Sequence, residues 1–383
     1  MVLICIVFDI QKYVKCSNFR VLIAIFEAMV HKIKNGVALS LIPQIILVKW
    51  LGNHPDLIER YYSEGIYPYI AGFFRILYGW IPFSVGDILY FILAVLALRY
   101  GFKHRFEIKA YPLRFVRNLV FVLSIAYFTF NLLWGLNYYR LPIAQKFALE
   151  EKNSAAELLE LTKALIAKTN ALQFGITKDT ALAVEIPYTK KEIFEKTLLG
   201  YEQLEKSYPF LSYKHRSIKK SLFSTALSYM GYGGYLNPFT HEGQVNARLP
   251  NFRFPVVAGH EIGHQLGYSA ENETNFIGYL ATMYNPDPYF QYAAHAYALT
   301  YCLSDIRRND EAEFMRLYAT IHSGTQHNFK EMALFWEAFD NPLEPVFESI
   351  FNIFLKANNQ TQGIQSYNAV VSLLISFHQE HPL

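Results

Sequence analysis

Three long apolar segments restrict this chain to folds that contact a membrane. They are residues 36–52, 81–101 and 118–136. A helix of about 20 residues crosses the ~30 Å hydrocarbon core of a bilayer. Charged residues make up 17% of the chain, against roughly 25% in soluble domains. We therefore predict a membrane region in residues 1–140 with three transmembrane helices, rather than buried helices of a large soluble core.

The distribution of basic residues predicts the orientation. Residues 99–117 carry six Lys or Arg against the single acid Glu107, and residues 1–36 carry five. The intervening loop, residues 53–80, has only Arg60 and Arg75 as basic residues. The positive-inside rule then places the N-terminus in the cytoplasm and residues 141–383 outside it, in a multi-pass cell-membrane protein.

Several other classes of protein are disfavoured by composition. The net charge of +3 and the lack of a basic run do not favour a nucleic-acid partner. Cys5, Cys16 and Cys302 are far apart, so neither a disulfide framework nor a cysteine zinc site is expected. Residues 1–10 match a signal peptide poorly, and the true start could be Met1 or Met29.

The part of the chain after residue 145 reads as mainly helical. Residues 150–173 and 190–208 have apolar positions at helical spacing. Residues 229–255 are rich in Gly, Pro and aromatics and predict loops with two or three short strands at most. The fold expected is mainly α, with at most a small β-sheet.

The segment HEIGH, residues 260–264, is the strongest chemical signal. Histidines four apart share one face of a helix, so His260 and His264 can bind one metal ion. Glu261 would lie beside that metal, positioned to take a proton from water. Pro255 and Gly267 suit the first turn and the C′ position of this helix. The pattern predicts a zinc (Zn²⁺) site with Glu261 as the catalytic base.

A catalytic zinc also needs a third protein ligand. A second helix with Ser269 as N-cap would carry Glu271 and Glu273, which are two apart and point to different sides. We favour Glu271, because Asn275 lies on its face and could accept a hydrogen bond from a ligand imidazole. Glu273 is the alternative, and His241 or His295 are further ones.

HEIGH followed by ENETNFIGYL resembles the gluzincin pattern of membrane metallopeptidases such as the prenyl-protein (CAAX) and heat-shock membrane proteases. In those families a Glu-x-x-x-Asp follows the helix, the Glu as third ligand and the Asp as support for a ligand histidine. The resemblance implies that Glu271 is the third ligand, with Asn275 in place of the Asp. Glu271 comes seven residues after His264, closer than in most gluzincins. Ala270 stands where metzincins have a third histidine.

From about residue 38 to the end, the chain also resembles an uncharacterised family of bacterial three-pass membrane proteins with this zincin motif. The resemblance covers IPFSVGD, WGLNYYR, PFTHEGQVN, HEIGHQLGYSAENETNF and GIQSYNAVVSLL. It implies a zinc peptidase without a known substrate.

A zincin also commonly uses an exposed strand to bind substrate, and residues 243–249 are our candidate. An oxyanion donor could come from the segment QYAAHAYALTYC, which is expected to be helical. Its candidate donors are Tyr292, His295, Tyr297 and Tyr301. We expect a capping or loop role for His241 and Glu242, and Asp87 near a membrane edge is a weaker candidate for function.

Three functions fit these features. The first is a membrane-anchored zinc metallopeptidase with a zincin-like domain, acting on a peptide or membrane-proximal protein substrate. The second is a zinc-binding membrane sensor or scaffold that hydrolyses nothing. The third is a transporter with an incidental motif, which three short spans with few polar residues disfavour. The substrate and the oligomeric state are open.

Overall fold

A computed structural model describes residues 17–150, 154–360 and 369–383. In this part of the chain, three segments are long and apolar enough to cross a membrane: Leu22–Gly52, Val85–Lys103 and Pro112–Leu133. The helices of the N-terminal part are α1 (Ser17–Leu39), α2 (Leu41–Gly52), α3 (Pro55–Leu57), α4 (Tyr67–Gly79), α5 (Val85–Lys103), α6 (Arg105–Ala110) and α7 (Pro112–Leu133). A π-helical segment, Ile58–Ile66, joins α3 to α4.

The apolar helices have different limits from those predicted. The first extends upstream of residue 36 to Leu22. The second starts at Val85 rather than residue 81, because Ser84 Oγ accepts the Asp87 N–H at 3.0 Å and so fixes the helix start. The third starts at Pro112, which suits a first helical turn, and ends before residue 136.

The chain divides into two compact units, Met1–Trp50 with Leu96–Asn131, and Leu51–Val95 with Leu132–Leu383. In the first unit, Gln44 Nε2 donates to Ser40 Oγ at 2.9 Å and to Ser124 Oγ at 3.0 Å. These bonds link α2 to α7 through polar side chains that would be costly in lipid without partners.

The second unit is mainly helical, as predicted. Its further helices are α8 (Ile143–Lys146), α9 (Ala155–Thr177), α10 (Lys190–Ser207), α11 (Ser224–Tyr229), α12 (Phe254–Gln265), α13 (Glu271–Met283), α14 (Pro288–Asn309), α15 (Glu311–Tyr318), α16 (Ser323–Glu337), α17 (Glu344–Ala357) and α18 (Val370–Glu380). Capping boxes start α9 and α10, where Ser154 pairs with Glu157 and Thr189 with Glu192. Buried aromatics of α13 and α18, including Phe276 and Phe377, lie in the core.

The described strands form one small sheet, also as predicted. Strands β1 (Ile218–Lys220), β2 (Gly234–Asn237) and β3 (Glu242–Val245) have the order β1-β3-β2. Strand β3 is parallel to β1 and antiparallel to β2.

Glu242 of β3 fixes the start of α5 on this sheet. Its carboxylate accepts the Val85 N–H at 3.1 Å and the Gly86 N–H at 2.5 Å, and it pairs with buried Lys219 at 2.5 Å. A carboxylate at a helix N-terminus satisfies free N–H groups and the helix dipole. The capping role expected for Glu242 is therefore confirmed.

Asp87 has a structural role in the same region. It is fully buried and accepts the Leu222 N–H at 2.6 Å and Ser221 Oγ at 3.1 Å, and Tyr235 Oη also donates to it. These hydrogen bonds hold the first turn of α5 against the segment after β1 and against β2.

Some predictions are not tested by the described residues. Residues 1–10, Cys5, Cys16 and part of GIQSYNAVVSLL lie outside them, whereas Cys302 is a buried free thiol. The boundary at residue 140 and the extracytoplasmic location of the C-terminal domain stay predictions.

Candidate metal centre

Helix α12 carries the two histidines, close to the predicted limits. It runs from Phe254 to Gln265 with Pro255 in its first turn. Gly267 follows with φ +87°, a left-handed conformation that favours glycine. An added Cβ at Gly267 would lie 2.8 Å from the Tyr67 ring. The turn after α12 is therefore both sharp and tightly packed.

Helix α13 begins at Glu271, but its predicted N-cap is wrong. The N-cap position is Ala270, which makes no side-chain capping bond. Ser269 Oγ instead donates to the Asn137 carbonyl at 3.0 Å. A tertiary contact thus takes the hydroxyl that local capping would have used.

The two helices meet backbone to backbone through glycines. An added Cβ at Gly278 would lie 2.8 Å from His260 N, and one at Gly259 would lie 3.1 Å from Gly278 Cα. Only residues without a side chain allow this approach. It brings the first turn of α13 to the face of α12 that carries the histidines.

The three favoured ligands converge. The Nε2 atoms of His260 and His264 are 3.1 Å apart, and Glu271 Oε2 lies 3.3 Å from the first and 3.8 Å from the second. Among the described residues, this is the group of His, Cys, Asp and Glu that could hold a metal ion. The structure therefore brings together the residues that the sequence selected.

The outer nitrogen of each histidine faces an acceptor. His260 Nδ1 lies 2.9 Å from Asn275 Oδ1, and His264 Nδ1 lies 2.8 Å from the Tyr268 carbonyl. Tyr297 Oη donates to the same Asn275 oxygen at 2.6 Å, and Asn275 Nδ2 donates to Tyr301 Oη at 3.5 Å, in agreement with this orientation of the amide. Both Nδ1 atoms are thus assigned as N–H donors, and the expected contact of Asn275 is observed.

This arrangement fits a metal ion. In its neutral form, with Nδ1 protonated, each imidazole turns an Nε2 lone pair toward the other and toward the Glu271 carboxylate. Three lone pairs that face one another are stabilised by a shared cation. Glu271 Oε2 is also a buried oxygen without a hydrogen-bond partner in the described part of the chain. Donors around a tetrahedral zinc are roughly 3.3 Å apart, judged from Zn–N distances near 2.0–2.1 Å, and the observed separations bracket that value.

Electrostatics couple the three groups. Burial lowers the pKa of His260. Burial alone would also lower the pKa of His264, but the Glu271 carboxylate raises it above its usual value. The same pairing lowers the pKa of Glu271 against the effect of burial.

Glu261 lies between the cluster and the sheet. It is 2% exposed, and its Oε2 has no hydrogen-bond partner among the described residues. Burial raises the pKa of Glu261 to about 8. An added Cβ at Gly234 of β2 would lie 2.4 Å from Glu261 Oε1, and one at Gly243 of β3 would lie 3.2 Å from Glu261 Cβ. The glycines of the sheet leave room for this carboxylate.

The alternative ligands lie elsewhere. Glu273 Oε1 accepts the Ile143 N–H at 2.8 Å. His241 lies in the turn between β2 and β3 with φ +52°, so the loop role expected for it is observed. Its ring is fully buried and stacks on Phe74 with ring centroids 5.1 Å apart. His295 Nδ1 lies 2.6 Å from the Gln291 carbonyl.

The strand predicted as an exposed edge is instead central. Strand β3, which contains residues 243–245 of the predicted range 243–249, pairs on both sides and is buried along its length. The edge beside Glu261 is β2. The sequence missed it because the pairing partner and the close approach of Gly234 to Glu261 depend on contacts distant in the chain.

Two of the aromatic candidates contact Asn275 beside the cluster, and a third is buried away from it. Tyr297 and Tyr301 adjoin Asn275, with Asn275 Nδ2 3.5 Å from Tyr301 Oη, whereas Tyr292 Oη donates to Asn328 at 2.7 Å. Tyr232 is a residue near the cluster that was not predicted from the sequence. Burial and the nearby Glu271 carboxylate raise its pKa to about 12. The one sequence signal for it is its position in the Gly-rich stretch before β2.

Fold and site together define a mainly helical protein that, in its described part, has three helices apolar enough for a membrane and a buried His-His-Glu cluster. The chain belongs to the family described as "Protein of unknown function (DUF3810)", whose model matches residues 62–375. No curated protein and no solved structure matches it. The matched range contains the whole cluster and Glu261.

Proposed function

We propose that this protein is a membrane-anchored zinc metallopeptidase. The observation that carries the proposal is the convergence of His260 Nε2, His264 Nε2 and Glu271 Oε2 within 3.1 to 3.8 Å, each histidine oriented by an acceptor at its outer nitrogen. Two imidazoles and one carboxylate are the ligand set of many catalytic zinc sites.

Each residue has a defined task. His260, His264 and Glu271 would hold the zinc, which would supply Lewis-acid polarisation of the substrate carbonyl and a lowered pKa of water. The Glu261 carboxylate takes a proton from the attacking water and passes it to the leaving amine. Asn275 and the Tyr268 carbonyl hold the two imidazoles in the required tautomer.

The substrate would be a peptide or a membrane-proximal protein. Strand β2 is the edge of the sheet next to Glu261, so an extended segment that pairs with β2 would carry its scissile bond past that carboxylate. The basic residues of 1–36 and 99–117 favour an extracytoplasmic site. Two candidate spans, Val85–Lys103 and Pro112–Leu133, lie between α4 and Trp134 in sequence. Crossing the membrane twice would place α4 and Trp134 on the same side.

A second candidate is a zinc-binding sensor or scaffold without hydrolysis. It is favoured by the burial of the site, because Glu261, His264 and Glu271 are all buried. The two candidates share the metal but differ in the need for Glu261.

The first test is the metal content of the purified full-length protein, wild type beside His264→Ala, Glu271→Gln and Glu273→Gln. We expect about one zinc per chain in the wild type, lost in the first two variants and kept in Glu273→Gln. Glu273 is the matched control, because it is a buried glutamate of the same helix that contacts Ile143 instead. A folded wild-type protein that binds no zinc would end both candidates.

The second test is hydrolysis of a mixture of unstructured peptides, followed by mass spectrometry. Cleavage by the wild type and none by Glu261→Gln with its zinc retained would support the peptidase. Equal peptide profiles for the two zinc-loaded proteins would favour the sensor.

A further inference from the structure

The outward face of α4 consists only of apolar residues. Arg75, the charged residue of this helix, is buried. The side chains of Tyr69 and of Trp80, which directly follows the helix, are 80% and 78% exposed. The exposed residues within α4 are Pro68, Tyr69, Phe73, Ile76 and Leu77. Together with Trp80, we call them the α4 apolar face.

Helix α10, an exposed helix of the same unit, looks different. In α10, most exposed positions are charged, and Leu199 is the exposed apolar exception. The charged ones are Lys191, Glu192, Glu195, Glu202 and Lys206. An amphipathic helix in water shows this pattern. The α4 apolar face therefore needs an apolar neighbour.

Contacts on the other side fix the orientation of α4. Tyr67 Oη donates to the Gln265 carbonyl at 3.0 Å, and Ala71 is fully buried. The Arg75 guanidinium stacks over the Tyr213 ring at 4.9 Å. The helix cannot turn its apolar face inward without losing these contacts.

We infer that the α4 apolar face lies in the interfacial layer of the lipid bilayer. The helix has 13 residues, or about 20 Å, too short for the ~30 Å hydrocarbon core. It lies in sequence between the candidate spans Leu22–Gly52 and Val85–Lys103, and residues 80–84 join it to α5. Tyr69 and Trp80 near its ends are the residue types that prefer the membrane interface.

This contact would place the candidate metal centre beside the membrane. Tyr67 packs against Gly267, which lies in the turn after α12, the helix that carries the histidines. Trp134, which directly follows α7, points its Nε1–H at the His264 carbonyl at 3.3 Å. Two elements next to candidate spans thus contact the histidine helix, and the inference stands whether or not the site hydrolyses peptides.

The test uses nitroxide labels on the full-length protein in vesicles of phosphatidylethanolamine and phosphatidylglycerol. Labels at Phe73→Cys and Ile76→Cys report on the α4 apolar face, and Glu202→Cys on α10 is the water-exposed control. Cys5 and Cys16 are replaced by serine, whereas Cys302 is buried. Electron paramagnetic resonance compares collisions with oxygen, which concentrates in lipid, and with a water-soluble nickel chelate.

We expect oxygen to dominate at residues 73 and 76 and the nickel chelate to dominate at residue 202. Dominance of the nickel chelate at all three positions would show that the face is in water and overturn the inference. Low accessibility to both reagents at residues 73 and 76 would also overturn it, since a second copy or another protein segment would then cover the face.

Discussion

The Gly278→Ala substitution tests how the candidate metal centre is assembled. An added Cβ would lie 2.8 Å from both His260 N and Val256 O, whereas ordinary contacts start at 3.4 Å. The two helices must then separate by about 0.6 Å, three times the roughly 0.2 Å tolerance of metal–ligand distances. We expect zinc affinity to fall by about 10- to 100-fold, the range seen when support of a ligand is lost.

Gly278→Ala should change the free energy of unfolding only modestly. Overpacking costs about 1–3 kcal/mol, and the better helix propensity of Ala offsets up to ~1 kcal/mol of that. Gly175→Ala is the matched control, because it makes the same change in helix α9 with no atom within 4 Å. It should leave zinc affinity unchanged and raise stability by up to ~1 kcal/mol.

The assay is competition with a chromophoric zinc chelator, alongside thermal unfolding of the full-length protein in detergent. Restricting the comparison to folded protein separates weaker binding from loss of fold. If Gly278→Ala binds zinc as tightly as Gly175→Ala, the close approach of α12 and α13 does not set the ligand geometry, and our reasoning is refuted.

Two further predictions concern the surroundings of the ligands. Asn275→Ala should weaken zinc binding by about 10- to 100-fold, whereas Asn275→Asp should keep or tighten it because a carboxylate is the stronger acceptor. If Asn275→Ala binds zinc as tightly as the wild type in the chelator assay, this residue does not support His260. Gly234→Ala should reduce peptide hydrolysis by about 100-fold with zinc retained, since its Cβ would displace the Glu261 carboxylate. Gly233→Ala, whose Cβ meets Val257 at an ordinary 3.5 Å, should stay near wild type, and similar rates for both variants would argue against Glu261 as the base.

Local sequence patterns predicted much of the candidate site. The four-residue spacing of His260 and His264 sets their common helix face, and the two-residue spacing of Glu271 and Glu273 sets them apart. Asn275 was found in the same way, one helical turn after Glu271. Helix periodicity needs no knowledge of the rest of the chain, so the position of each residue on its own helix was predictable, whereas the contacts between the two helices depend on their packing.

The errors fall where distant segments meet. Ser269 was expected to cap α13 but bonds to Asn137, 132 residues away in sequence. Strand β3 was expected at an edge but lies between β1 and β2. The start of α5 depends on Glu242, 157 residues from Val85. A window of neighbouring residues holds no information on such partners.

The sequence by itself thus determined the apolar helices, the mainly α fold and the face of one helix on which two histidines lie, because these follow from length, hydrophobicity and helical period. The tertiary structure decided that Glu271, the carboxylate favoured from the sequence, reaches the histidines while Glu273 contacts Ile143, which strand borders Glu261 and where α5 begins. Each of these depends on close packing between segments far apart in the chain, where the absence of a side chain at Gly278 or Gly234 allows two backbones or a carboxylate to approach.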